Sequence, residues 1–233
     1  MKVIAHRGAS GYEPENTLLA IEAAIVMEVD AVEIDLHRVE DQLVVIHDRW
    51  IDKTTDGKGR LKDLTFAELR RFDAGKGQKV PTLWEVLKLI NGRCAVNIEL
   101  KADDTLALLV STLTQACAEL NFDSTQFVIS SFNHHLLKNL KQHAGEWRIG
   151  ALTGSRPLDY AEFAERLGAY SVHIDVDIVD KYFVDDAHAR GLKVYVYTVD
   201  KEEDIDDLIA LNVDGIFTNY PTRSLVKIAH SKL

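Results

Sequence analysis

Ala31-Val-Glu-Ile-Asp-Leu-His-Arg-Val-Glu-Asp-Gln-Leu-Val-Val-Ile-His47 holds two β-rich runs, Ala31–Leu36 and Leu43–His47, separated only by His37 to Gln42. A parallel crossover needs about a dozen residues, so these runs must pair as an antiparallel hairpin. Outward from this hairpin, strand-like runs recur at Val3–His6, Ala95–Leu100, Phe127–Ser131, Arg148–Leu152, Ser171–Ile174, Lys193–Thr198 and Gly215–Thr218. Apolar residues at helical spacing fill the intervals: Asn16–Glu28, Thr82–Ile90, Asp104–Leu120, Asn133–His143, Leu158–Leu167, Asp180–Arg190, Lys201–Leu211 and Thr222–His230.

Strands alternating with helices imply parallel pairing with right-handed crossovers. Setting aside the second hairpin arm leaves eight parallel strands, each followed by a helix. The sequence therefore predicts an α/β protein of the (β/α)8 TIM-barrel class, with an extra hairpin arm. Residues 48–81 break the alternation: they are rich in glycine and charge, with one short helical pattern at Thr65–Arg71. They read as a small insertion over the C-terminal mouth, where βα loops build barrel active sites. No repeat or linker divides the chain, which reads as one barrel domain over residues 1–233.

Composition narrows the function. The 233 residues are 46% hydrophobic and 27% charged, which is ordinary globular usage. A net charge of −10 argues against a nucleic-acid backbone binder, which needs a basic footprint. No run approaches the roughly 20 apolar residues of a spanning helix, so stable membrane insertion is not expected. Two cysteines and no signal-like start point to the cytoplasm. The oligomeric state is left open.

The chemistry follows from strand parity. In Ala31–His37, Val32, Ile34 and Leu36 share one face, while Glu33, Asp35 and His37 share the other. In Ala95–Lys101 the outward set is Val96, Ile98 and Leu100, and the inward set is Asn97, Glu99 and Lys101. Glu33, Asp35 and Glu99 thus converge inside the barrel. Such an oxygen-rich site suits one divalent metal ion, Mg²⁺ or Ca²⁺, better than Zn²⁺. The competing arrangement is a metal-free ion network with Arg7 and Lys101, which has fewer cations than carboxylates. His6 ends the first strand and His47 the second hairpin arm. With a turn near Glu40–Asp41, His47 is expected opposite Asp35, and the two histidines frame an acid–base site. Arg7 and Lys101 are the cations available to a phosphate. His173, Phe132 and Tyr197 sit at or near strand ends and are expected to line the pocket. Asn16 or Thr17 reads as the cap of the first helix.

These residues fall in an ordered set. His6-Arg7-Gly8, Pro14-Glu15-Asn16-Thr17, Val32-Glu33-Ile34-Asp35, His47-Asp48 and Ile98-Glu99-Leu100-Lys101 resemble the glycerophosphodiester phosphodiesterase family. The likeness continues through Thr54-Thr55-Asp56-Gly57-Lys58-Gly59, Asp73-Ala74-Gly75, Ser131-Phe132, Tyr197-Thr198-Val199 and Asp214-Gly215-Ile216. The resemblance implies metal-dependent hydrolysis of a small glycerophosphodiester to sn-glycerol 3-phosphate and an alcohol. It implies a metal on Glu33, Asp35 and Glu99 and an acid–base pair of His6 and His47; Arg7, Lys101, Glu15, His173, Phe132 and Tyr197 are the expected substrate or phosphate contacts. Tyr197 stands where the family usually has Trp, and Asp200 where it usually has Asn; both bear on alcohol preference. The rival readings are a lysophospholipase D or sphingomyelinase D type lipid phosphodiesterase, and a non-catalytic ligand-binding barrel.

Overall fold

The computed structural model describes residues 1–231; the last two residues of the 1–233 span lie outside the described residues. Among the described residues the strands are β1 (Lys2–Ala5), β2 (Ala31–Val39), β3 (Gln42–Val45), β4 (Ala95–Leu100), β5 (Phe127–Ser131), β6 (Arg148–Thr153), β7 (Ser171–Asp175), β8 (Lys193–Tyr197) and β9 (Gly215–Thr218). The helices among them are α1 (Leu18–Val26), α2 (Phe66–Leu69), α3 (Leu83–Ile90), α4 (Leu106–Glu119), α5 (His134–His143), α6 (Glu162–Arg166), α7 (Lys181–Ala189), α8 (Glu202–Ala210) and α9 (Pro221–His230). Among these residues no helix is long and apolar enough to cross a membrane.

Parallel pairing runs from β1 through β9, β8, β7, β6, β5 and β4 to β2, and a β1–β2 pairing closes the circle. The result is the expected (β/α)8 barrel. β3 is the extra arm. β1 occupies one edge of β2 at Ala31 and Val32, and β3 takes over that edge from Leu36 to Val39. The register corrects one expectation. Leu36 pairs with Val45, and the Ile46 N–H donates to Asp35 O at 3.0 Å. Ile46, not His47, therefore lies across from Asp35; a turn at Glu40–Asp41 leaves His47 one residue further on, beyond the ladder.

Strand parity places the core. Val32, Ile34, Leu36, Val96, Ile98 and Leu100 all join the main hydrophobic core, which the helices cover. On the inner face Ile4, Ala31, Tyr195 and Phe217 fill the base of the barrel. α3 illustrates how the helices attach. It buries Leu83, Val86, Leu87 and Ile90, a single stripe at helical spacing. Each such side chain contributes about 1.5–3 kcal/mol on burial. Thr82 caps it and Glu85 bonds back to the Thr82 backbone, a reciprocal cap that satisfies two free N–H groups.

The insertion has its own small core of Val39, Val44, Ile46, Ile51, Leu61, Leu69, Ala74 and Val80. β3 alternates between the two cores: Leu43 and Val45 join the main one, while Val44 joins the insertion's. The insertion is also tied to the β1–α1 loop, where Lys76 Nζ lies 2.6 Å from Glu13 Oε2. None of residues 48–81 lines the large cavity at the barrel's centre. The insertion's apolar residues pack on the hairpin residues Val39, Val44 and Ile46.

Candidate active site

β2 and β4 run in register, with Glu33 beside Asn97 and Asp35 beside Glu99. These inward residues stand above the apolar base. One carboxylate oxygen each from Glu33, Asp35 and Glu99 lies within 4.8 Å of the other two. Asp35 is 0% and Glu33 2% exposed, so both charges are withdrawn from water. Burying them is costly unless something positive compensates.

Two cations do so in part. Arg7 Nε is 3.2 Å from Asp35 Oδ2, and its Nη1 donates to Glu15 Oε1 at 2.8 Å. The Arg7 backbone N–H donates to Glu33 Oε2 at 2.9 Å. Arg7 holds a left-handed backbone, φ 56°, followed by Gly8 at φ 79°. A Cβ on Gly8 would come within 2.7 Å of the Ala20 carbonyl carbon, so the turn that aims Arg7 needs glycine there. Lys101 Nζ lies 3.1 Å from Asp35 Oδ1 and is bonded to Glu99 Oε1. Both the ion network and the converging carboxylates of the sequence analysis are therefore present.

The charges do not close. Three carboxylates face two cations, and Glu33 Oε1 is buried without a partner, while Asp35 Oδ1 has only its ion pair with Lys101. Burial, with the nearby Asp35 and Glu99, pushes the Glu33 carboxyl well above the usual range. Burial likewise raises Glu99, against the pull of Lys101. At Asp35 burial pushes upward, but Lys101 and Arg7 outweigh it and hold the carboxyl low. Hard, buried oxygens, one of them without any partner, and a deficit of positive charge fit a divalent cation.

The two histidines sit across this cluster and line the same cavity of about 470 Å³. His6 follows β1, with Nδ1 2.8 Å from Asn219 Oδ1. His47 follows β3, with Nδ1 2.9 Å from Asp48 Oδ1; Asp48 Oδ2 is in turn 3.2 Å from Lys53 Nζ. Burial, aided by Arg7, lowers the pKa of His6. Burial also lowers that of His47, with Asp35 working against it.

The remaining expected contacts divide. Arg7, Lys101, His173, Phe132 and Tyr197 all line the cavity. Phe132 is 51% exposed at the rim, its ring edge-on to Tyr197 at 6.0 Å. His173 lies at the floor, fully buried between Tyr195 and Phe217; burial pushes it down to about 3, so the ring is neutral. Its Nε2 meets Ser171 Oγ at 2.9 Å and its Nδ1 has no partner. Glu15 is not among the lining residues; its carboxylate accepts from Arg7 Nη1.

A profile of the Glycerophosphoryl diester phosphodiesterase family matches residues 6–223. The chain belongs to this family. Among its relatives is the glycerophosphodiester phosphodiesterase of Caldanaerobacter subterraneus subsp. tengcongensis, 38% identical and aligned over 94% of each chain. A glycerophosphodiester phosphodiesterase of Bacillus subtilis is 33% identical, over 94% of this chain and 83% of that one. A phosphodiesterase from Oleispira antarctica, solved in complex with the product sn-glycerol-3-phosphate, superposes with a TM-score of 0.90 at 29% identity. That match covers 98% of this chain and 97% of the other.

Within this glycerophosphodiester phosphodiesterase barrel, several neighbours of the site escape sequence reading. Asn16 does not cap α1. Thr17 does, accepting from the Ala20 N–H at 3.2 Å, while Asn16 adopts φ 57° and turns to Asp35. Asn97 donates to Ser130 Oγ at 3.0 Å, and Asp175 and Asp177 join the lining. Inward parity was the one signal that pointed to Asn97.

Proposed function

We propose that this chain hydrolyses small glycerophosphodiesters to sn-glycerol 3-phosphate and an alcohol, with His6 and His47 as the acid–base pair. The observation that carries the reading is the meeting of Glu33, Asp35 and Glu99 with both histidines around one cavity. Glu33, Asp35 and Glu99 would hold one divalent ion, Mg²⁺ or Ca²⁺. Bound there, the ion supplies positive charge against a phosphoryl oxygen.

The protein's own residues do the rest. Arg7 and Lys101 add charge where negative charge builds on phosphorus. His6 takes the proton of the attacking hydroxyl, from water or from the substrate's own glycerol. The new P–O bond forms as the bond to the alcohol oxygen breaks, and His47 protonates that oxygen; attack by the glycerol hydroxyl leaves a cyclic phosphate, which water then opens to glycerol 3-phosphate with the two histidines exchanging roles. A pKa below the ordinary histidine range makes the His47 imidazolium a better proton donor, and Asp48 holds its Nδ1 side. His173 offers Nδ1 to a substrate hydroxyl at the cavity floor. Phe132 and Tyr197 flank the departing alcohol. Two free thiols, Cys94 and Cys117, support a reducing, cytoplasmic setting.

The test is release of glycerol 3-phosphate from glycerophosphocholine and glycerophosphoethanolamine, with EDTA and after restoring Mg²⁺ or Ca²⁺. Release that EDTA stops and metal restores is the expected result. Release of choline from lysophosphatidylcholine, with no hydrolysis of the glycerophosphodiesters, would favour the lipid reading, and no hydrolysis of any diester would overturn the proposal.

A further inference from the structure

We infer that Asp200, acting through Asn219, fixes the tautomer of His6 and is a positioning residue for proton transfer. The inference rests on His6 being the proton acceptor proposed above. Asp200 is not among the residues lining the cavity, so its departure from the family's usual Asn does not act by touching the alcohol. It acts one step behind the base.

The contacts leave one consistent assignment. Asn219 presents Oδ1 to His6 Nδ1 at 2.8 Å and Nδ2 to Asp200 Oδ2 at 2.7 Å. The Asn219 backbone N–H donates to Asp200 Oδ1 at 2.8 Å, and Thr218 Oγ1 donates to the same oxygen at 3.2 Å. An amide can be turned end for end, so its neighbours must decide which end faces where. Ser10 Oγ, 2.7 Å from both Asn219 Oδ1 and His6 O, does not decide it. A hydroxyl can donate to the histidine carbonyl and still accept from an NH₂ group. An ionised Asp200 has no proton to give and accepts only, so the NH₂ end must face it. The amide oxygen then faces His6.

An acceptor at that place requires a proton on His6 Nδ1. Neutral imidazole carries one N–H, so Nε2 keeps its lone pair, which is what a base needs. Arg7, Asp35 and Glu15 are the other charged groups that act on His6, and among its described contacts none bonds to the imidazole nitrogens. Orientation thus passes from a carboxylate through an amide to the ring, without placing a negative charge against the base. Outer-shell partners of this kind typically change activity by about 10–100-fold when removed.

The decisive experiment reads the tautomer directly, by ¹⁵N NMR of histidine-labelled protein, with H6Q assigning the His6 signals among the nine histidines. The wild type is expected to carry the proton on Nδ1; a proton on Nε2 overturns the inference without any variant. In Asp200→Leu the amide is free to turn, so the Nε2–H form should appear. Its kcat should fall about 10–100-fold with KM within about twofold. Asp200→Asn can still offer a carbonyl oxygen to Asn219, so it should recover most of the loss. A D200L protein that keeps both tautomer and kcat sinks the idea. Because the spectrum needs no turnover, failure of hydrolysis in wild type would count against the proposed reaction and leave the tautomer result to stand.

Discussion

Asn16 and Asp35 are joined by a reciprocal pair of hydrogen bonds: Asn16 Nδ2 donates to Asp35 Oδ2 at 2.9 Å, and the Asp35 N–H donates to Asn16 Oδ1 at 3.3 Å. Asn16 is 3% exposed and holds its left-handed turn to make this reach. A residue in the loop before α1 thereby fixes a carboxylate on β2, 19 positions away.

Replacing Asn16 with Leu should leave the Asp35 N–H and one carboxylate oxygen short of a partner. The cost is about 1–3 kcal/mol of stability, together with about a tenfold loss of divalent-cation affinity. Thermal melting and calorimetric titration with Ca²⁺ or Mg²⁺ measure both; unchanged affinity would remove Asn16 from the site.

Glu33→Gln keeps the shape of the side chain and deletes its charge. A ligand that binds the folded state raises its stability by RT ln(1 + [L]/Kd), about 2.7 kcal/mol at a hundredfold excess over Kd. Wild-type protein should therefore melt higher in Mg²⁺ or Ca²⁺ than in EDTA, and E33Q should show little difference. Equal stabilisation of both proteins would move the cation elsewhere.

His47→Gln should lower kcat by about 10²–10⁴-fold on glycerophosphocholine. On a glycerophosphodiester of p-nitrophenol, whose leaving group departs without a proton, the defect should largely vanish. The same substrate should not rescue His6→Gln. Equal rescue of the two would reverse or merge their roles.

Gly150 gives the cavity floor its room. A Cβ there would stand 2.5 Å from His173 Cε1 and Nε2, in a ring already boxed by Tyr195 and Phe217. Gly150→Ala is expected to cost about 1–3 kcal/mol by overpacking, read from urea denaturation. Wild-type stability in that variant would mean that the ring has space to retreat.

His173 also predicts an acid dependence. Its folded pKa of about 3 lies below the ordinary 6.5, so the unfolded chain binds the extra proton. The stability is complete above pH 6.5 and is lost as pH falls from there toward 3, at about 1.4 kcal/mol per pH unit. His173→Asn should flatten this part of the stability curve between pH 6.5 and 4. An unaltered slope would show that other groups carry it.

The parity of β2 and β4 made the carboxylate cluster legible, because a strand's two faces are written in alternate letters and Glu33, Asp35 and Glu99 interrupt an otherwise apolar rhythm. The hairpin was legible for a simpler reason: six residues are too few for a crossover. The partners of these groups were not. Asn16 reaches Asp35, and Asn219 reaches His6 across 213 positions, through closure of the barrel. Local pattern assigns Asn16 to a helix cap because asparagine there competes well for free N–H groups, and only its left-handed backbone says otherwise.

β2 runs unbroken from the barrel wall, where it carries Glu33 and Asp35, into the hairpin on which the insertion seats its separate core. Residues 48–81 are thus attached as a module: five of their side chains fill a small core with three from the hairpin, and Asp48 ties the segment to the site at His47 Nδ1. A change that loosened this segment's packing would therefore reach the site through Asp48 and His47, while Glu33, Asp35 and Glu99 stay held by the barrel strands.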